Sequence, residues 1–372
     1  MADQQTILLA GGGTGGHLYP GISVAQTLRQ VLPDARPLFL CTQREIDRVI
    51  LQPTGFEFIA QPIVPPLKTM TGLWRFWRSW RETKDLIRRV IAQHRPVAVL
   101  GLGGYAAGVG VKLAAKAGIP AAILNPDVIP GKANQYLMGQ VQAVCCQFDQ
   151  TRQHVSPHYH AKLKTTGCPV RDVFLSPPDR TTAAASLGLD PALATLVITG
   201  ASQGALTVND AALETLPQLK LQGWQVLHLA GRDHGPAVTQ AYRQRNMPAR
   251  VIDFTPDMAS VFAVADLVIS RSGASTCAEL CVCGLPSILF PYPFHKDMHQ
   301  RANAKVLADA GAAILLDDLK DPRQNAQHLR PALESLLYEA PRRRAMAAAA
   351  KALARPDAAH AVATVLAELV RK

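Results

Sequence analysis

The sequence predicts an α/β protein made of two doubly wound domains, each a parallel sheet with helices on both faces. Three observations predict it. Short apolar runs alternate with helical patterns along the chain, as expected for parallel strands joined by crossover helices. At 372 residues the chain is too long for one compact unit of that kind, so two are expected. Four loops rich in glycine or serine follow apolar runs, two in each half. In doubly wound sheets, ligands bind beyond the carboxyl ends of the strands, where these loops fall.

The first strand is read at residues 6–9. It runs into Ala10-Gly11-Gly12-Gly13-Thr14-Gly15-Gly16-His17, and a helix pattern follows with Ile22, Ala25, Leu28 and Val31 on one face and Pro20 near its start. Glycines let backbone N–H groups approach a ligand, and a helix N-terminus attracts anions, so this loop is a candidate phosphate site. Strands are read next at 37–41 and 98–100, the latter leading into Gly101-Leu102-Gly103-Gly104-Tyr105, and then at 121–124, 143–146 and 164–166. A domain boundary is expected near Gly167-Cys168-Pro169-Val170-Arg171, followed by the turn formers Ser176-Pro177-Pro178-Asp179-Arg180.

The second half repeats the pattern. A strand at 195–199 enters Gly200-Ala201-Ser202-Gln203-Gly204-Ala205. Strands at 225–230 and 250–254 follow, and one at 267–269 enters Ser270-Arg271-Ser272-Gly273-Ala274-Ser275-Thr276. A strand at 287–291 leads into the polar loop Pro291-Tyr292-Pro293-Phe294-His295-Lys296-Asp297-Met298-His299-Gln300, and the last strand is read at 313–315. Residues 357–370 read as an amphipathic helix, with Asp357 as N-cap and Ala361, Val365 and Leu369 on one face.

Composition narrows the classes. The chain is 48% hydrophobic and 18% charged, ordinary for a globular protein. No run approaches the roughly 18 apolar residues that span a bilayer. The start, Met1-Ala2-Asp3-Gln4-Gln5, lacks the basic and apolar regions of a secretory signal, so a cytoplasmic chain is expected. The seven cysteines show no paired zinc-type spacing and read as free buried thiols. The net charge is +11, and residues 68–95 supply +6 of it. Concentrated positive charge points to an anionic surface or polymer. In that segment Leu73, Trp77, Trp80, Ile87 and Ile91 form one helical face, expected to pack inward. Trp74 falls outside it among Arg75, Arg78 and Arg81, a combination that suits contact with a membrane surface. No nucleic-acid-binding fold is recognisable, and nucleic acid is not expected as a partner.

The chemistry-bearing residues follow from their positions. His17, beside a helix start, is able to accept a proton or bind a phosphate. The N–H groups near Ser272, Gly273, Ala274, Ser275 and Thr276 suit phosphate oxygens. Glu279 lies about one turn further on, where a carboxylate suits a vicinal diol such as a ribose. Gly11, Gly13 and Gly16 satisfy the G-x-G-x-x-G dinucleotide pattern. That pattern wants an acid at the end of the second strand, whereas here Glu45 and Asp47 come late. A nicotinamide-dependent oxidoreductase is therefore an alternative rather than the leading reading. No P-loop sequence occurs. No Asp-x-Asp pair occurs either, which favours neutralising a diphosphate with helix ends and basic side chains; no metal and no cofactor are expected.

Together these motifs resemble the MurG family of peptidoglycan N-acetylglucosaminyltransferases, two-domain enzymes of the GT-B fold. The resemblance covers nearly the whole chain: residues 11–17, Gly103-Gly104-Tyr105, Ile129-Pro130-Gly131 with Asn134, residues 167–171, Ser202-Gln203-Gly204-Ala205, residues 271–279, residues 297–303, and Ala354-Arg355-Pro356-Asp357-Ala358-Ala359. It implies two Rossmann-like domains facing a cleft: residues 1–168 for the acceptor and membrane, 169–341 for the UDP-sugar donor, and helices in 342–372 returning to the first domain. The implied reaction is inverting transfer of GlcNAc from UDP-GlcNAc to the MurNAc 4-hydroxyl of undecaprenyl-diphosphate-linked lipid I, giving lipid II. The implied location is the cytoplasmic face of the inner membrane, held peripherally at an anionic surface through Trp74, Arg75 and Arg78.

By the same resemblance Arg171, Ser202, Ser272, Gly273, Ala274, Ser275 and Thr276 hold the uridine diphosphate. Glu279 holds the ribose, Gln300 the sugar hydroxyls, and Thr255 lies at the uracil. Thr14, Gly15, Gly16 and Asp127 complete the donor site, and Gly13, Gly103, Gly104 and Tyr105 take the acceptor diphosphate. His17 is the leading general base and Asp127 the second. One stretch departs from the family. His-Glu-Gln-Asn is usual where this chain has Leu124-Asn125-Pro126-Asp127. An ionised Asp127 accepts a hydrogen bond from a sugar hydroxyl but cannot donate one. Another UDP-sugar-dependent lipid glycosyltransferase is the alternative that this departure leaves open.

Overall fold

The computed structural model describes residues 5–67, 69–200, 204–294 and 297–371. They divide into two compact units: residues 5–171 with 355–371, and residues Asp172–Ala354.

The first unit begins β1 (Gln5–Gly11), α1 (Gly15–Val31), β2 (Ala35–Thr42), α2 (Glu45–Leu51), β3 (Glu57–Gln61) and α3 (Met70–His94). It continues β4 (Ala98–Gly103), α4 (Gly104–Lys116), β5 (Ala121–Asn125), α5 (Lys132–Leu137), β6 (Ala143–Cys146) and β7 (Leu163–Thr165). The seven strands are all parallel, in the order β3-β2-β1-β4-β5-β6-β7. Side chains of β1 divide between two cores. Ile7 and Leu9 pack with Leu18, Val24 and Leu28 of α1, while Leu8 and Ala10 pack with Ile87, Val90, Val109 and Val111 of α3 and α4. Burial on both faces is why this strand reads as a continuous apolar run.

The second unit holds α6 (Asp172–Leu175), α7 (Arg180–Leu187), β8 (Ala194–Thr199), α8 (Leu206–Thr215), β9 (Trp224–Leu229), α9 (Gly235–Gln244), β10 (Arg250–Ile252), α10 (Met258–Val264), β11 (Leu267–Ser270) and α11 (Ala274–Cys283). It ends with β12 (Ser287–Leu289), α12 (His299–Asp309), β13 (Ala313–Leu315), α13 (Pro322–Tyr338) and α14 (Ala340–Leu353). Its six parallel strands run β10-β9-β8-β11-β12-β13. Helix α14 packs on α11. The last helix, α15 (Ala358–Arg371), lies against α1 in the first unit. There Val362, Ala363 and Leu366 are fully buried in the α1 core, and each larger one contributes about 1.5–3 kcal/mol. Asp357 sits at the start of α15, its carbonyl accepting from Ala361 N–H at 2.9 Å.

The doubly wound α/β class is as the sequence predicts, and each expected strand is present. Three local expectations change. Strand β3 was not anticipated: it lies at the sheet edge, and its short apolar stretch Phe58-Ile59-Ala60 is only partly buried, with Glu57 and Ala60 exposed and only Gln61 buried. Helix α1 starts at Gly15, which puts Pro20 in its second turn and His17 in its first. On α3, Leu73 and Trp77 are 43% and 62% exposed. The inward stripe instead includes Ser79, Thr83, Ile87 and Val90. Ser79 satisfies itself there, accepting from Val64 N–H at 3.3 Å and donating to the Phe76 carbonyl at 2.9 Å, so polar residues occupy positions that an apolar pattern assigns to the surface. All seven cysteines are free, and six are buried.

Candidate active site

Strand order reverses direction between β1 and β4 in the first sheet and between β8 and β11 in the second. These are the topological switch points, where doubly wound sheets open a crevice for ligand. The four glycine-rich loops leave these four strands. Helices α1, α4, α8 and α11 follow them, with Thr14, Gly103, Ala205 and Gly273 as N-caps, and none of the four makes a side-chain cap bond. Helices α2, α5, α9, α12 and α14 likewise lack a side-chain cap bond, whereas Thr69, Asp179, Asp257 and Asp321 cap α3, α7, α10 and α13 with side-chain bonds to backbone N–H groups. A helix start without a capping side chain keeps its partial positive charge available to an anion.

In the first unit the two loops meet around His17. Its Nδ1 lies 3.1 Å from the Gly12 carbonyl and 3.1 Å from Thr14 Oγ1. The ring packs on the Gly103-Gly104 peptide. A Cβ at Gly104 would come within 2.9 Å of His17 Cε1, and one at Gly103 within 3.2 Å of Cδ2. Both glycines also have φ in the left-handed region, +100° and +69°. Desolvation lowers the His17 pKa, outweighing the Gly12 bond and the charges of Asp127 and Asp47, which raise it. The imidazole is thus held neutral and close to a second carboxylate, that of Asp127. Asn125 Nδ2 donates to the Asp127 carbonyl at 2.8 Å, and Asn134 Nδ2 donates to Asn125 Oδ1 at 3.0 Å, which fixes the 125–127 turn. Tyr105 lies beside Gly13, where a Cβ would be 3.6 Å from its hydroxyl. Burial pushes the Tyr105 phenol pKa up, against the lowering pull of Arg44.

Arg44 was not picked out by the sequence, and Asp47 was weighed there only as a late acid of the dinucleotide pattern. Asp47 is fully buried, and its carboxylate accepts Gly13 N–H at 2.7 and 2.9 Å and Thr42 N–H and Oγ1–H at 2.7 Å each. The Gly13 amide is therefore engaged by protein, and an acceptor diphosphate would meet Thr14, Gly103 or Gly104 rather than that N–H. Asp47 is equally spent as a ribose ligand, which removes the support for a nicotinamide site. Arg44 donates to the Gly13 carbonyl at 2.7 Å and is exposed, placing a guanidinium beside Tyr105.

In the second unit, Gly273 to Thr276 form the loop exit and first turn of α11, with Ser275, Thr276 and Glu279 half-buried. Ser272 is fully buried and its hydroxyl donates to the Gln300 carbonyl at 2.9 Å, so its side chain joins the starts of α11 and α12. Gln300 Oε1 accepts Tyr292 N–H at 2.9 Å, and Thr255 Oγ1 accepts Asp257 N–H at 3.1 Å beside α10. Beneath the loop lies a buried network that the sequence reading missed. Arg271 donates to Asp318 Oδ2 at 2.7 Å, to Thr207 Oγ1 at 2.9 Å, and to the Phe290 and Pro291 carbonyls. Asp318 also accepts from Thr207, Asn325 and Lys320 N–H. Burial alone pushes the Asp318 carboxyl up, but these hydrogen bonds outweigh it and hold the group below its ordinary value.

Of the remaining expected residues, Arg171 belongs to the first unit, its guanidinium 4.7 Å from the Tyr19 ring centroid. Ser202 lies outside the described residues. Trp74, Arg75 and Arg78 are exposed on α3, with Arg78 over the Trp74 ring at 5.9 Å and paired to Glu82 at 2.9 Å. Among the described residues, no helix is long and apolar enough to cross a membrane.

Known proteins resemble this chain over its length. Residues 7–146 match the glycosyltransferase family 28 N-terminal domain and residues 195–362 the glycosyltransferase family 28 C-terminal domain. The UDP-N-acetylglucosamine--N-acetylmuramyl-(pentapeptide) pyrophosphoryl-undecaprenol N-acetylglucosamine transferase 1 of Bacillus thuringiensis subsp. konkukian is 33% identical, over 98% of this chain and 100% of that one. The enzyme of the same name, without the number, from Sorangium cellulosum is 37% identical over 98% of this chain and 89% of that one. The crystal structure of Acinetobacter baumannii MurG superposes with a TM-score of 0.75 at 26% identity, covering 98% of this chain and 99% of that one.

Proposed function

This chain belongs to glycosyltransferase family 28, and we propose that it transfers GlcNAc from UDP-GlcNAc to the MurNAc 4-hydroxyl of undecaprenyl-diphosphate-linked lipid I, with inversion, giving lipid II for peptidoglycan synthesis. The observation that carries this reading is the match along 98% of the chain to relatives named for that transfer. The two switch points with their uncapped helix starts support a ligand site in each unit.

In this reading the α11 N-terminus in the second unit takes the donor. As the glycosidic bond breaks, negative charge develops on the β-phosphate of UDP, and the amides of Ser275 and Thr276 with Arg171 and Ser202 meet it. One preorganised donor of this kind is worth about 2.7–4 kcal/mol in a dry site. The Ser272 hydroxyl, already given to Gln300, acts by shaping the loop. Glu279 takes the ribose hydroxyls, the backbone at Thr255 the uracil, and Gln300 Nε2 the sugar. Thr14, Gly15, Gly16 and Asp127 reach the donor from the first unit. Helix amides and basic side chains neutralise the diphosphate, so no divalent cation is required.

The first unit takes lipid I. Gly103, Gly104 and Tyr105, joined by Arg44, receive its diphosphate. The MurNAc 4-hydroxyl attacks the anomeric carbon from the face opposite UDP, and its proton passes to His17 Nε2; Asp127 is the second candidate. The exposed α3 residues Trp74, Arg75 and Arg78, extended by Leu73 and Trp77, rest on the anionic cytoplasmic face of the membrane, where the acceptor lipid lies.

The test is transfer of labelled GlcNAc from UDP-GlcNAc to a lipid I analogue, with UDP-GalNAc and diacylglycerol as controls. Labelled disaccharide-lipid from UDP-GlcNAc and lipid I alone is expected. Because Asp127 stands where the family has Asn, donor choice is part of the assay. Faster transfer from UDP-GalNAc, or transfer to diacylglycerol only, would replace this reading with that of another lipid glycosyltransferase.

A further inference from the structure

We propose that Asp47 is a positioning residue for His17, acting through the single peptide unit that joins Gly12 to Gly13. The two hydrogen bonds involved belong to opposite ends of that one planar group. Its N–H, that of Gly13, is gripped by the Asp47 carboxylate at 2.7 and 2.9 Å. Its carbonyl, that of Gly12, lies 3.1 Å from His17 Nδ1. A carbonyl only accepts, so a hydrogen bond to Gly12 puts the proton on Nδ1 and leaves the lone pair on Nε2; the Thr14 hydroxyl, also 3.1 Å from Nδ1, is the partner that would donate to the other tautomer. The Nδ1–H form is the tautomer a general base needs, and this inference rests on the reading of His17 as that base.

The peptide is held from several sides. Asp47 is fully buried on α2 and also accepts the N–H and hydroxyl of Thr42 at the end of β2, so the carboxylate is anchored to the sheet and not to the loop alone. Only glycine fits at position 12: its φ is +153°, and a Cβ there would lie 2.3 Å from Asp47 Oδ2. Arg44 clamps the next carbonyl, that of Gly13, at 2.7 Å. The Gly103-Gly104 peptide walls the imidazole on its other side. The arrangement is an aspartate–histidine pair with one peptide inserted between its members. The carboxylate polarises the amide, and the polarised carbonyl better supports an imidazolium as the acceptor hydroxyl gives up its proton.

The charged and titratable groups around the ring are Asp47 on α2, Asp127 in the loop after β5, Arg44 before α2 and Tyr105 on α4. Both carboxylates favour the protonated ring. Removing the Asp47 charge therefore moves His17 titration to lower pH, while removing its grip frees the tautomer.

The experiment uses the full chain and the variant Asp47→Asn. With lipid I analogue and UDP-GlcNAc, kcat is expected to fall at least tenfold, with the donor KM within twofold. The acid limb of kcat against pH should move to lower pH. Thr42→Val, which removes one bond to Asp47 and leaves the Gly13 bonds, should keep the wild-type limb and so separates this role from general loosening. Independently, 15N shifts of the His17 ring, assigned among the eleven histidines with His17→Gln, should show the Nδ1–H tautomer in the wild type and a mixture in Asp47→Asn. An unmoved limb, or a wild-type ring carrying its proton on Nε2, overturns the proposal. If Asp47→Asn fails to fold, the wild-type ring shifts alone decide. Full turnover in His17→Ala would instead sink the general-base reading, while the ring shifts would still report on Asp47.

Discussion

Asp318 holds the floor of the second glycine-rich site through four neighbours, and its energetics are those of a buried ion pair. Arg271 and Asp318 have side chains 9% and 0% exposed. Removing one partner of such a pair costs about 3–5 kcal/mol, because the other charge stays buried. Asp318→Asn should therefore lower unfolding stability by several kcal/mol, read as a reduced urea midpoint. The sign with pH is also fixed. A carboxyl held below its ordinary value of 3.8 contributes stability that is full above that value and is lost as pH falls through the lower, folded one. The wild type should lose this increment in acid, and Asp318→Asn should lack that part of the acid slope. Equal stability and an equal slope would show that the network carries little energy. The Asp318 network was not legible in the sequence, and Asp47 was read there only as a late acid, not as the partner of Gly13. Asp318 acts on Arg271, 47 positions away, and Asp47 on Gly13, 34 positions away, and nothing local marks either aspartate as buried. The place of His17 at the start of α1, by contrast, was legible because it follows a glycine run directly.

At the scale of elements, α3 is where pattern and packing diverge. Reading Leu73, Trp77 and Trp80 as one inward face assumes that the buried stripe is apolar. The stripe in fact carries Ser79 and Thr83, 5% and 0% exposed, and this turns Trp77 outward beside Trp74. The result is a larger apolar surface, with Met70, Leu73, Trp74 and Trp77 all exposed at the start of a helix rich in arginine. Transfer of one such side chain out of water is worth about 1.5–3 kcal/mol, so Trp74→Ala with Trp77→Ala should weaken binding to phosphatidylglycerol vesicles at least tenfold in co-sedimentation. Added salt should weaken the wild type further. Unchanged sedimentation would return this face to ordinary surface. Strand β3 was not read for a related reason: at the sheet edge its apolar stretch Phe58-Ile59-Ala60 is short and half-exposed, flanked by the polar Glu57 and Gln61.

At the scale of the molecule, the sequence repeats one device twice: a strand pair at a switch point, each strand followed by a glycine-rich loop and a helix start without a capping side chain. The strands and their glycine-rich loops were legible, because parallel central strands are apolar on both faces and their loops are marked by glycine; the sheet order that makes switch points of them, and the missing caps, were not. The assignment of α14 and α15 to different units was not, since both are regular helices and only their packing partners differ. The central claim is that the second unit's switch point meets the departing nucleotide with helix amides. The most direct measurement is a crystal structure with UDP-GlcNAc bound. The account predicts the diphosphate within hydrogen-bond distance of the Ser275 and Thr276 amides, with the ribose at Glu279. A diphosphate seated on the 11–16 loop of the first unit, away from α11, would contradict it.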